Sequence, residues 1–211
     1  MSFTVLMSVY AKEQPDYFNQ AFLSIWDQQT LKPDQIVLVK DGPLTAELDA
    51  EIQRWQETLG EVLTVVELPE NVGLGAALNE GLKACKHELV ARMDTDDVSL
   101  PSRFEKQVAF MQANSDIAAS SAQIEEWNTA LTQKLDQRTL PTEPAAVARF
   151  AKRRSPLSQM PAAGVGRTAW RIGSKWITRY PEVAPGPHFR RTLWSDRIRT
   201  ADAVAIRHGN R

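Results

Sequence analysis

The sequence predicts an α/β domain in which a mostly parallel sheet carries helices on both faces. Three observations predict it. Residues 3–9, 36–39, 63–68 and 89–93 are apolar nearly throughout, the pattern of strands buried on both sides. Between them lie stretches whose apolar residues recur at three- and four-residue spacing, the mark of amphipathic helices that cross over between parallel strands. Polar clusters collect after three of the strand segments, at residues 8–12, 41–43 and 94–97. In open sheets of this kind ligands bind beyond the carboxyl ends of the strands, so these clusters are expected to converge in space.

Each element has a local cause. Residues 3–9 form a strand, and Pro15 opens a helix that places Phe18, Ala21, Phe22, Ile25 and Trp26 on one face. Pro33 ends the next loop, and the strand at 36–39 stops at Lys40, Asp41, Gly42 and Pro43. Leu48, Ile52, Trp55 and Leu59 mark a second helix, residues 63–68 a third strand and residues 75–86 a third helix. The fourth strand then runs into Asp94, Thr95, Asp96 and Asp97, with Ser99 and Pro101 as start signals for another helix.

The 211 residues suffice for one domain with a full core, or for a domain and an appendage. Net charge is −1, yet residues 1–150 hold 12 Lys/Arg against 23 Asp/Glu and residues 151–211 hold 13 against 3. The last sixty or so residues therefore differ in kind from the rest. The first ten residues read as a strand, with no basic leader, and no segment approaches the roughly 20 apolar residues of a membrane span, so the chain is expected in the cytoplasm. Cys85 lies in a helical pattern and is expected to be a small buried hydrophobe. His87, His188 and His208 lack metal-ligand spacing, so zinc is not expected.

The acidic cluster carries the chemistry. Three carboxylates within four residues at a strand end repel one another and lose hydration, and a hard divalent cation such as Mg²⁺ or Mn²⁺ relieves both costs. The plain alternative is a solvated acidic turn before a helix. A dinucleotide-binding fingerprint fails, because Gly73 and Gly75 follow the third strand and Leu78 holds the position of the third glycine. No Gly-Lys-Ser/Thr phosphate loop occurs either.

Four pieces taken in order resemble the family 2 glycosyltransferases with the GT-A (Rossmann-like) fold that build bacterial polysaccharides. Residues 5–10 resemble the first strand and residues 39–43 the end of the second. Residues 70–75 match the glycine-containing loop, and residues 93–97 the D-x-D signature. Arg103 also stands where that family usually has an arginine. The likeness covers residues 1–160. It implies that Ser8, Val9 and Tyr10 line a nucleotide pocket, and that Asp41 accepts a hydrogen bond from the N–H edge of a uracil-type base. It further implies that Asp94 binds ribose and that Asp96, with or without Asp97, holds Mn²⁺ or Mg²⁺ against the diphosphate. Asp41 is otherwise an Asp-Gly turn residue. Asn71 and Gly73 either close the pocket or only turn the chain, and Arg103 is otherwise a helix-start residue.

The implied activity is inverting transfer of a sugar from a nucleotide-sugar donor, UDP-linked by expectation, to a saccharide or lipid-linked acceptor. The enzyme would work in the cytoplasm or peripherally at the inner face of the membrane, without nucleic acid. The family places its general base in a Glu-Asp pair beyond a segment resembling residues 154–160, and no such pair follows Met160 here. Residues 161–211 carry arginines and tryptophans without helical or strand period, and are read either as a basic arm for nucleic acid or an anionic membrane or, in preference, as an irregular basic tail created by a reading-frame shift near Met160. A nucleotide-sugar-binding remnant without the base is the alternative reading, and a metal-dependent phosphoryl-transfer enzyme a more distant one.

Overall fold

The computed structural model describes residues 1–114 and 119–138, residues 146 and 149, and the backbone of four further strands between residues 163 and 207. The elements run β1 (Phe3–Val9), α1 (Pro15–Ile25), β2 (Gln35–Lys40), α2 (Ala46–Leu59), β3 (Leu63–Glu67), α3 (Leu74–Ala84), β4 (Leu89–Arg92) and α4 (Arg103–Ala113). Then come β5 (Ala119–Trp127), β6 (Lys134–Arg138), β7 (Ala163–Val165), β8 (Trp170–Ile172), β9 (Lys175–Ile177) and β10 (Ile198–Arg207). Every helix and strand expected through β4 is present, with ends moved by a residue or two. Local capping sets some of those ends. Pro15 occupies the first turn of α1, and the Thr45 hydroxyl accepts the Leu48 N–H at the start of α2.

The strands β4, β1, β2 and β3 lie side by side in that order and all run parallel, with Leu6 opposite Arg92, Val9 opposite Lys40 and Lys40 opposite Glu67. The chain moves outward from β1 to β3 and then returns to the other side of β1 as β4. That reversal is the topological switch point at which α/β sheets leave a crevice for ligands. The core is divided by the sheet. On one face Phe3, Val5, Met7, Ile36 and Leu38 pack with α1, α2 and α4; on the other Leu6, Val37, Val39 and Val90 pack with α3. Cys85 is buried with the second group.

The sheet continues beyond β4. β7 pairs antiparallel with both β4 and β5, β6 pairs antiparallel with β5, and β10 runs parallel to β5 with a register shift between Ala201 and Val204. β8 and β9 form a separate antiparallel pair. Residues 161–211, which show no legible period, thus supply strands of their own. Strand pairing is made by main-chain groups, and the three-residue strands β7, β8 and β9 are too short to display a period of two.

The approach of α3 to the sheet has a measurable consequence. A Cβ at Gly81 would stand 2.5 Å from Val39 Cγ2 and 2.6 Å from Leu6 Cδ1, both on fully or almost fully buried residues. Gly81→Ala is therefore expected to destabilise the domain by about 1–3 kcal/mol through overpacking. Urea denaturation checks this, and the denaturant slope should stay unchanged.

Candidate functional site

The carboxyl ends of β1, β2, β3 and β4 come together at one edge of the sheet, and main-chain hydrogen bonds fix how closely. The Asp41 N–H donates to the Val9 carbonyl at 2.8 Å, Met93 N–H to the Leu6 carbonyl at 3.1 Å, and Leu68 N–H to the Lys40 carbonyl at 3.0 Å. Thr95 Oγ1 sits 3.4 Å from the Ser8 carbonyl and 2.8 Å from Glu13 Oε2. Residues far apart in sequence thereby share one edge: Ser8 near the end of β1 and Tyr10 just after it, Asp41 after β2, Asn71 and Gly73 after β3, and Asp94 to Asp97 after β4.

The side chains at that edge are unequal. Tyr10 is 45% exposed at the mouth, whereas Val9 has its side chain in the core and offers the edge only main chain. Asp41 is buried, and both of its oxygens are engaged by the loop after β3: Oδ1 accepts the Val72 N–H at 2.7 Å and Oδ2 the Gly73 N–H at 3.1 Å. Asn71 Nδ2 returns a bond to the Asp41 carbonyl at 3.2 Å. Asp41 and Asn71 stand in the loops after β2 and β3, and the two loops are locked to each other. The lock depends on glycine, since Gly42 has φ +86° and a Cβ there would meet Asn71 N at 2.6 Å. Gly73, at φ +83°, starts α3 without a side-chain cap, leaving amide donors at this edge of the sheet.

Asp94 is half-buried, Asp96 exposed and Asp97 buried, and one carboxylate oxygen from each lies within 4.8 Å of the others. Hard oxygen donors at that spacing suit Mg²⁺ or Mn²⁺ and do not suit a thiophilic ion. The donor set fits the cation that the sequence implied.

Two buried arginines back the cluster. Arg92, 3% exposed at the end of β4, pairs with Asp94. Arg103, 1% exposed at the start of α4, donates to the Arg92 carbonyl at 2.8 Å, to Gln107 Oε1 at 3.0 Å and to Met93 Sδ at 3.1 Å. Burial pushes the Asp94 carboxyl up to about 6; Arg92 opposes the shift, while Asp96 and Glu13 add to it. Burial likewise pulls Arg103 down to about 9, against the pull of Asp97 and Asp94 in the other direction and with the repulsion of Arg92. Arg103 is thus more than a helix-start residue, because its guanidinium fixes the end of the strand that carries the aspartates. Arg92 was missed in the sequence. The available signal was an arginine closing an otherwise apolar strand two residues before a carboxylate, which puts the two side chains on the same face.

Known proteins resemble the chain in sequence and in fold. The profile described as Glycosyl transferase family 2 matches residues 4–171. The chain belongs to that family. It is 42% identical to the amylovoran biosynthesis glycosyltransferase AmsE of Erwinia amylovora over 75% of this chain and 58% of that protein. It is 34% identical to the UDP-Gal:alpha-D-GlcNAc-diphosphoundecaprenol beta-1,3-galactosyltransferase of Escherichia coli over 81% of this chain and 61% of that one. Among solved structures, Staphylococcus aureus TarS 1–349 superposes with a TM-score of 0.66 at 17% identity, over 98% of this chain and 60% of that chain. The mannosyltransferase PcManGT from Pyrobaculum calidifontis, in complex with GDP-Man and Mn²⁺, gives 0.55 at 22% identity, over 78% and 44%. The fold of the family 2 chain is GT-A. The chain spans about 60% of the length of these two curated relatives. No helix among the described residues is long and apolar enough to cross a membrane.

The raised pKa of Asp94 gives a signed expectation for the metal-free chain. A carboxyl that ionises near 6 when folded and near 3.8 when unfolded contributes stability that is complete below 3.8 and lost as pH rises through 6. Asp94→Asn should remove that part of the slope of stability against pH between about 4 and 6. Arg92→Met should move the Asp94 titration upward, read by carboxylate NMR, because the group that favours the anion is gone.

Proposed function

We propose that this chain is the donor-binding part of an inverting, metal-dependent glycosyltransferase that takes its sugar from a UDP-sugar and passes it to a saccharide or lipid-linked acceptor in polysaccharide assembly. The observation that carries the reading is the convergence of Asp41, Asp94 and the Asp96/Asp97 pair on the switch-point edge of a family 2 domain. The relatives support it. One is named for amylovoran biosynthesis and another for galactosyl transfer from UDP-Gal to a diphosphoundecaprenol-linked acceptor.

Under this reading the uracil ring sits against Tyr10 and the main chain of Ser8 and Val9. Each Asp41 oxygen accepts one loop N–H and, as a carboxylate oxygen with two acceptor sites, retains capacity for the N–H of the base. Asn71 and Gly73 form the wall that Asp41 holds upright. Asp94 accepts from the ribose hydroxyls, with Arg92 orienting its carboxylate. Asp96 and Asp97 hold Mn²⁺ or Mg²⁺, which when bound offsets charge on the departing nucleoside diphosphate. The acceptor hydroxyl still needs a base. Glu182 and Asp196 lie outside the described residues, and Asp202 falls on the backbone of β10.

Three outcomes are expected. UDP should bind in calorimetry with Mn²⁺, and Asp96→Ala should weaken that binding at least tenfold; equal binding in the variant without metal would remove the assignment. Asp41→Ala should weaken uridine binding with or without metal. Transfer of sugar by the 211-residue chain should be slower than in a relative that carries the Glu-Asp pair by about 10²–10⁴, the usual worth of general-base assistance. Rapid turnover abolished by Asp196→Asn would instead place the base in the tail and end the frame-shift account.

A further inference from the structure

We infer that Gln29, in the loop after α1 and remote in sequence from the acidic cluster, is a positioning residue for the metal-binding carboxylates. The inference rests on the metal reading just given and adds to it a residue that does not touch the ion. Gln29 is 6% exposed, and its carboxamide is the centre of a buried network. Nε2 lies 2.6 Å from the Ser24 carbonyl, 2.9 Å from the Leu100 carbonyl and 3.2 Å from Ser99 Oγ. Oε1 accepts the N–H of Phe104 at 3.4 Å. Phe104 is in the first turn of α4, where amide donors lack helical partners, and Ser102 at the N-cap makes no side-chain bond. Gln29 therefore caps α4 from another element.

Its neighbours grip the same segment. Ser24 Oγ, fully buried, accepts the Ser99 N–H at 2.9 Å, and the Thr30 N–H donates to the Pro101 carbonyl at 3.0 Å. Residues 99–104 form the short span between Asp97 and the body of α4, and α4 carries Arg103, which holds the end of β4. The acidic segment is thus fixed at both ends: by β4 in front and by Gln29 behind. Three mutually repelling carboxylates would spread if one end were released, and a cation needs them within a narrow range of distance. A carboxamide is required, because the position must present donors to two carbonyls and an acceptor to an N–H at once.

A matched control exists in the same fold. Gln35 is 1% exposed and also makes a buried network: Oε1 accepts from Thr4 Oγ1 and Lys86 N, and Nε2 donates to Thr64 Oγ1 and the Ala84 carbonyl. It lies at the start of β2, at the opposite end of the strands from the aspartates. Gln29→Met and Gln35→Met should therefore cost comparable stability, while only the first disturbs the metal site. The experiment titrates the whole chain with Mn²⁺ alone, following free Mn²⁺ by EPR, and records amide hydrogen exchange of the metal-free proteins. Expected are an about tenfold weaker Mn²⁺ affinity and faster exchange over residues 95–104 in Gln29→Met, with both unchanged in Gln35→Met. Ser24→Ala, a milder lesion, should weaken Mn²⁺ a few-fold in the same direction. Unchanged affinity and exchange in Gln29→Met, or equal losses in Gln35→Met, overturn the inference. A wild-type chain that binds no Mn²⁺ overturns the metal reading instead, and the exchange comparison then decides alone whether Gln29 positions this segment.

Discussion

Everything at this edge of the molecule answers one electrostatic problem: three carboxylates, one of them buried and one half-buried, crowd together at the end of a buried strand and repel. The protein meets it with cations behind the cluster. Arg92 and Arg103 are buried almost completely, which no hydrophobic core would favour on its own, and both sit within reach of the aspartates or of the strand end that bears them. The compensation is incomplete, as the raised Asp94 shows. A site left short of positive charge is one that a divalent ion can complete, and the protein tolerates the deficit because the surrounding segment is anchored by main-chain and carboxamide hydrogen bonds, not by the carboxylates themselves.

A second consequence concerns the neighbouring turns. Asp41 holds the loop that follows β3 through two amide bonds, and Gly42 allows the loop to approach closely enough for them to form. One carboxylate thus has a structural duty beside the recognition duty proposed for it. Loss of Asp41 would be felt both as a missing acceptor and as a displaced wall, so its effect on a nucleotide should exceed that of one hydrogen bond.

The chain covers only part of each curated relative it resembles. Its likeness to relatives ends well inside their length, and the family match itself ends at residue 171. The part that is shared contains the switch-point crevice and the acidic cluster. Strands after Met160 complete the sheet beside β4 through β7, so the segment that looked unpatterned takes part in the same sheet as the site.

The sequence by itself determined the alternation of strands and helices through β4, the parallel sheet, the family, and the candidate residues at the strand ends. It could do so because apolar continuity, helical spacing and the acidic run are local patterns, each readable within a dozen residues. Only the tertiary structure decided how those candidates are used. That Val9 offers main chain alone and that Arg92 and Arg103 are buried behind the aspartates follow from how whole elements pack, and that Asp41 clasps the loop after β3 and that Gln29 caps α4 are facts about residues brought together across tens of positions. A polar residue in a loop carries no mark in the sequence of the buried partners it will meet, because burial and hydrogen-bond pairing are set by the packing of whole elements and not by the residues on either side.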